Sequence, residues 1–356
     1  MGLIYTKMKV FHYPEKLASL PRETSEIRPP IQIRIKPTNV CNHNCRYCSY
    51  RMGGIQLGQD INLRDFIPRD KMLELVNNIQ EIGVRSVLFS GGGEPFCYPY
   101  MLETLHLLAN SSVKFAALTN GALVKGDVSD FFAHHGTWLR VSVDGWDDES
   151  YRRYRGCNEG EFTRILANLK NFRYAGGECY LGVNIVVDVD NAPHLYDMIK
   201  IFKDIGVQSA KISPCIVANS GPSNNEYHDK LFAMVKESIC RAKSDFSDGD
   251  FEIFDSYVGQ LESFEKDYSW CPYLQIVPVI GADSNVYVCH DKAYNLQAGL
   301  LGSIKSQSFK TLWNEDKSKF FQIKPKMDCN HHCIADTGNK MILEYLEADP
   351  RHLEFV

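Results

Sequence analysis

The chain has 356 residues, which at the usual domain size suggests about two domains and a core that needs no disulfide staples. Its net charge of −5 argues against nucleic acid as the main partner, and 44% hydrophobic with 23% charged residues excludes a disordered chain. No apolar run approaches the roughly 18 residues of a membrane span, and MGLIYTKMKVFHYPEK lacks the basic-then-apolar layout of a secretory signal, so a cytoplasmic protein is expected. Gly2 and Thr6 match a short myristoylation pattern, which chance explains.

Along the chain, apolar segments alternate between strand and helix periodicity. Strands are expected over Ile31–Pro37, Ser86–Ser90, Val113–Leu118, Leu139–Val143, Tyr180–Val187 and Gln208–Ser213. Helices are expected over Pro68–Glu81, Tyr100–Leu108, Asp127–Ala133, Glu161–Tyr174, Ala192–Asp204 and Glu226–Lys243. His134 and His135 sit where a helix should end. Regular alternation implies a parallel sheet with right-handed crossovers, either an open wound sheet or an incomplete barrel. The pattern breaks after Asp245 at the polar stretch SDFSDGD. Beyond it, Gln275–Ile280 and Asn285–Val288, split by GADS, suggest a hairpin, followed by helices over Phe309–Trp313 and Thr337–Leu346. The expected division is an N-terminal extension (1–30), a strand–helix core (31–245) and a smaller C-terminal domain (246–356).

Twelve cysteines are many for a chain without an export signal, and in a reducing compartment they point to metal ligation or catalysis. Cys41, Cys45 and Cys48 fall within eight residues, on a loop just after the first strand. Three such thiolates can hold three irons of a cubane and leave the fourth open to a chelating ligand. The alternative is a zinc site with His43 as fourth ligand, although zinc sites usually pair two short motifs.

Cys41-Asn-His-Asn-Cys45-Arg-Tyr47-Cys48 resembles the signature of the radical S-adenosylmethionine (SAM) superfamily, including the aromatic residue before the third cysteine. Ser90-Gly91-Gly92-Gly93-Glu94-Pro95, Leu118-Thr119-Asn120-Gly121, Val141-Ser142-Val143-Asp144-Gly145 and Val183-Asn184-Ile185-Val186-Val187 resemble its later strand-end motifs, in register. The resemblance covers roughly Ile31 to Cys215 and the C-terminal cysteine region. It implies an α/β fold, a partial (β/α)6 TIM barrel with a small C-terminal β-hairpin/helix domain, and a site at the C-terminal strand ends. It implies a SAM-binding [4Fe-4S] cluster on Cys41, Cys45 and Cys48, reductive cleavage of SAM to a 5′-deoxyadenosyl radical, and an electron donor such as flavodoxin or ferredoxin. The SAM pocket it implies is formed by Tyr47, Gly92, Gly93, Glu94, Ser142, Arg155, Asn184 and Val186, with Arg155 facing the SAM carboxylate.

Cys271, Cys289, Cys329 and Cys333 form a second set. The segment Asp283–Cys289 resembles the start of a SPASM or Twitch domain, with Ser284 where glycine is usual. Four thiols fit one auxiliary [4Fe-4S] cluster, the Twitch pattern; zinc on the same thiols, or on His331 or His332, is the alternative. Relatives of this kind act on sugars, nucleotide-linked compounds or peptides. The short N-terminal extension favours a small polar metabolite (sugar, aminocyclitol or nucleotide-linked) and a net oxidation. A ribosomal peptide delivered by a separate protein, and an epimerisation, are the other enzymatic readings. Cys215, after the sixth strand, would serve an epimerase as hydrogen donor; it and Cys97 are otherwise small packing residues. Asp283, Asp291 and His290 border the hairpin and are candidates for taking a proton. The different-class reading is a zinc-stabilised binding module without catalysis.

Overall fold

A computed structural model describes residues 4–261 and 264–355 of the chain; Gly2 lies outside them. Ten strands form one sheet in the order β10-β9-β8-β1-β2-β3-β4-β5-β6-β7. β1 (Gln32–Ile35), β2 (Ser86–Phe89), β3 (Lys114–Thr119), β4 (Trp138–Ser142), β5 (Tyr180–Val187), β6 (Ser209–Pro214) and β7 (Glu252–Asp255) run parallel in chain order. β8 (Val279–Ile280) joins the other side of β1 in parallel, and β9 (Asn285–Tyr287) and β10 (Leu300–Ser303) follow antiparallel. The mixed α/β architecture, with parallel strands in order and a C-terminal hairpin region, is that of a partial TIM barrel.

Alternation along each strand decides which side chains meet the helices. Ile33 and Ile35, Val87 and Phe89, Leu139 and Val141, and Ile185 and Val187 are all fully buried and share one core with Met72, Leu75, Val76 and Ile79 of the helix Arg69–Ile82. Burying each such aliphatic side chain contributes about 1.5–3 kcal/mol. The intervening residues of β1 and β4, including Arg34, Arg140 and Ser142, face the opposite way, into the barrel. The helix Glu161–Tyr174 and strand Tyr180–Val187 have the expected ends. His134 closes the last turn of Gly126–His135, its Nδ1 2.8 Å from the Asp130 carbonyl.

Of the elements that go beyond the periodicity, three shape the sheet and the site. The helix Asp148–Arg155 is nucleated by a capping box between Asp147 and Ser150 and is too polar to show an apolar stripe. The polar stretch after Asp245 does not end the sheet: the Asp248 carboxylate accepts the Asp250 and Phe251 amides, turning the chain into a seventh parallel strand. β10 completes a three-stranded C-terminal ribbon where a two-stranded hairpin was expected.

Candidate active site

Beyond β1 the chain crosses the strand ends, and Cys41, Cys45 and Cys48 line a cavity of about 360 Å³. Gly91–Glu94, Ser142, Arg155 and Val186 share its wall, at the C-terminal ends of β2, β4 and β5. The cysteine loop is tied to the helix Asp148–Arg155: Asn44 N–H donates to the Arg155 carbonyl (2.8 Å) and Arg46 N–H to that of Tyr154 (3.0 Å). Arg46 also reaches Asp188 and Asp190 at 2.6 and 2.7 Å. Burial pushes the Cys41 thiol up to about 11 and raises Cys48 as well. Ligation to a metal would have to displace those protons, since the thiolate is the ligand form.

Asp144, at the end of β4, organises the floor. It is fully buried and accepts from Tyr47 Oη, Arg155 Nη2 and, at 2.6 Å, the Val186 amide. Burial pushes its carboxyl up, and the Arg155 guanidinium, the Tyr47 hydroxyl and the Val186 amide, all favouring the anion, pull it back. Arg155 is thus committed to an ion pair beneath the loop, and its Nη1 lies 3.6 Å from Cys45 Sγ. Arg155 also lines the cavity into which the resemblance places the SAM carboxylate.

The glycine run, which lines the cavity, also packs closely against the chain. A Cβ on Gly93 would fall 2.2 Å from the Val40 carbonyl oxygen and 2.4 Å from the Asn39 carbonyl carbon; one on Gly92 would meet Asn39 Oδ1 at 2.0 Å. The close approach is thus to the segment entering the cysteine loop. Glu94 is buried, and its carboxylate accepts from Thr119 Oγ1 (2.6 Å), Asn120 N–H (2.7 Å) and Phe96 N–H (3.1 Å). It joins the end of β2 to that of β3.

Other expected residues fall away from the cavity. Asn184 Oδ1 accepts from Ser213 Oγ at 3.1 Å, and Asn184 is not among the lining residues. Pro214 and Ile216 line the cavity while Cys215 between them does not; it is 4% exposed, and its carbonyl is held by His228 Nε2 at 2.8 Å. Asp283 is a turn residue, its carboxylate engaged by Tyr287 Oη (2.6 Å) and Asn285 Nδ2 (2.7 Å). Asp291 lies 3.6 Å from His331 Nε2, and neither acid lines the cavity. His290 does. Cys97 sits just outside, its Sγ 3.9 Å from Asn42 Oδ1. The sequence reading missed Asp144 as a site residue, and also Lys36 and Tyr50. The Lys36 ammonium is fully buried and donates to Tyr50 Oη and the Gly91 carbonyl. Alternation within IQIRIKP, which turns Arg34 and Lys36 inward, was the available signal.

The C-terminal thiols converge. Cys271, Cys289 and Cys329 pack around Leu274, Val288 and Ile323, and Cys333 lies within electrostatic reach of Cys271 and Cys289. Burial raises all four, Cys271 to about 12 and Cys329 to about 11. Asn339 Nδ2 donates to Cys271 Sγ (3.1 Å) and Ala335 N–H to Cys333 Sγ (3.4 Å), bonds that favour thiolate sulfur. Among the described residues no three His, Cys, Asp or Glu groups gather closely enough to hold a single metal ion, which bears equally on zinc and on iron at these thiols. His43 faces Glu161 at 3.7 Å, His331 contacts Asp291 and Gln56, and His332 contacts Asn225.

The family model for the radical SAM superfamily matches residues 35–212, half of the chain. The chain belongs to the radical SAM superfamily. An iron–sulfur cluster-binding domain model, SPASM, matches residues 271–334, which contain all four C-terminal thiols. Among curated relatives, the GTP 3′,8-cyclase of Vibrio atlanticus is 23% identical over 252 residues, covering 66% of this chain and 72% of its own. That of Psychromonas ingrahamii is 26% identical over 255 residues, covering 66% and 70%. Among solved structures, Streptococcus suis SuiB bound to S-adenosylmethionine superposes with a TM-score of 0.62 at 14% identity, over 89% of this chain and 73% of that one. AnSMEcpe with bound AdoMet gives 0.59 at 18% identity, over 89% and 97%.

As a radical SAM enzyme with a SPASM region, the protein uses SAM, a SAM-binding iron–sulfur cluster and auxiliary iron–sulfur ligation. The residues present fit: one cavity bears three clustered thiols, and a second locus bears four.

Proposed function

We propose that this radical SAM enzyme acts on a small polar metabolite held in the barrel below the cysteine loop, in a net oxidation. The observation that carries this reading is the single cavity shared by Cys41, Cys45, Cys48, the Gly91–Glu94 run and the ends of β4 and β5. With cluster and SAM bound there, an electron from a flavodoxin- or ferredoxin-type donor supplies a carbon-centred radical able to take a hydrogen atom from substrate. The chain's own part is to orient and enclose: Asp144 and Arg155 brace the loop, and Ser142 and Val186 offer contact surface from β4 and β5. Cys271, Cys289, Cys329 and Cys333 would hold the auxiliary cluster that accepts the second electron.

Two further observations support the reading. Cys215 is buried and is not among the residues that line the cavity, which speaks against its serving as an epimerase's hydrogen donor. The curated relatives are named for a reaction of GTP, a small polar molecule. SuiB has been seen with a precursor peptide, which is the ground for a second reading with a peptide substrate. At 14% identity that likeness concerns the fold.

The test is anaerobic reconstitution of the full chain with iron and sulfide, followed by reduction in the presence of SAM. 5′-Deoxyadenosine is expected, and none from the Cys41→Ala/Cys45→Ala/Cys48→Ala variant; retained cleavage by that variant would sink the assignment. Once a substrate is in hand, oxidation predicts a product lighter by two hydrogens, without deuterium at the reacting carbon in heavy water. A product of unchanged mass that gains one deuterium would reverse the choice.

A further inference from the structure

Two guanidinium groups line the cavity, those of Arg155 and Arg51. Arg155 is met by Asp144. The one carboxylate among the lining residues, that of Glu94, is engaged by Thr119, Asn120 and Phe96. Among the described residues no acid pairs with Arg51, so its charge on the cavity wall is left uncompensated.

The cysteine loop itself places this side chain. Arg51 stands three residues after Cys48, on a turn in which its own N–H donates to the Cys48 carbonyl at 2.8 Å. From there the side chain reaches back across the loop, where Nη1 donates to Asn44 Oδ1 at 2.9 Å and to the His43 carbonyl at 3.3 Å. The guanidinium is thereby pinned at one corner. Its other edge has no acceptor: Nε is shut off from solvent without a partner, and Nη2 makes no hydrogen bond and keeps accessible surface. That edge is the one that meets a carboxylate with two parallel N–H···O bonds, a fork that lysine does not offer. A desolvated N–H without an acceptor is costly, and a ligand carboxylate on this edge relieves the cost. The Arg51 charge also acts on the Cys41 and Cys48 thiols, holding both lower than burial alone would, so it lies beside the locus that fits the SAM-binding cluster.

We propose that the open edge of Arg51 receives the carboxylate of SAM. The resemblance gives that carboxylate to Arg155; Arg51 is a second guanidinium in the same wall, and one with no acid of its own. The inference rests on membership of the superfamily and is independent of which substrate the enzyme takes.

The test is calorimetric titration of the anaerobically reconstituted full chain with SAM and, separately, with 5′-methylthioadenosine, which lacks the carboxylate. Arg51→Gln at full iron content should weaken SAM about tenfold or more and leave 5′-methylthioadenosine within about twofold of wild type. Asn44→Ala removes the side-chain acceptor that pins Nη1 but keeps the guanidinium, and should weaken SAM less than Arg51→Gln does. The proposal falls if wild type does not bind SAM, or if Arg51→Gln binds SAM as wild type does. It falls equally if both probes weaken alike, or if Asn44→Ala matches Arg51→Gln, because the arginine then only shapes the loop. Should Arg51→Gln lose iron, Arg51→Lys decides. SAM affinity below wild type with unchanged 5′-methylthioadenosine binding supports the assignment. Wild-type SAM affinity, or loss of iron here too, overturns it.

Discussion

Ser284 holds a backbone φ of +58°, the left-handed region that glycine enters freely and L side chains avoid. Its carbonyl accepts from Ile304 N–H at 2.9 Å, so the turn is fixed by pairing with the segment after β10 and keeps its shape without glycine. Ser284→Gly should therefore stabilise the holoprotein by about 0.5–1 kcal/mol, the relief of strain less the added freedom of the unfolded chain. Anaerobic chemical denaturation with an unchanged iron content checks this; a loss of stability would show that the serine side chain matters more than the strain. The departure from glycine was visible in the sequence, because the neighbouring motif marks the position. Asp144 carried no such mark as a site residue. Its partners Tyr47 and Val186 lie 97 and 42 positions away, and only the closing of the barrel brings the three together.

Among the elements, the glycine turn after β2 and the entry to the cysteine loop form one packed unit. Gly93 N–H donates to the Thr38 carbonyl (3.1 Å) and Glu94 N–H to that of Val40 (2.9 Å). Gly93→Val would drive its side chain into backbone atoms just before Cys41. Loss of the SAM-site iron together with SAM binding is the expected outcome, read by iron analysis and a SAM titration. Full iron content with weakened SAM binding would instead mean that the glycine serves only the ligand. The long amphipathic helices and eight-residue β5 were legible because their periodicity runs for several turns or pairs. β7 and β10 have four residues each, too few for a period to declare itself.

At the scale of the molecule, the C-terminal region is built into the barrel. β8 supplies one of the two neighbours of β1, and Gly58 and Asp60 N–H donate to the Ala293 and Tyr294 carbonyls. Tyr294 Oη in turn donates to Asn39 Oδ1 at 2.6 Å, two residues before Cys41. A chain ended at residue 261 would expose β1 as a bare edge and strip the support from the cysteine loop. Such a chain is expected to aggregate and to hold no SAM-site iron, measured by size-exclusion chromatography and iron analysis. A monomeric fragment that still cleaves SAM would show the C-terminal region to be an accessory. None of this was legible beforehand, since local patterning places strands but does not say which distant strands pair.

The pairing of β1 with β8 also sets a timetable. Ile35 lies between Phe89 and Ile280, so the first strand made must wait for one of the last. At about 5–20 residues per second, the ribosome needs roughly tens of seconds to bridge that gap. Through that interval the three thiols beyond β1 hang from a half-built wall, and iron delivered early would meet a pocket whose supporting side has yet to be translated.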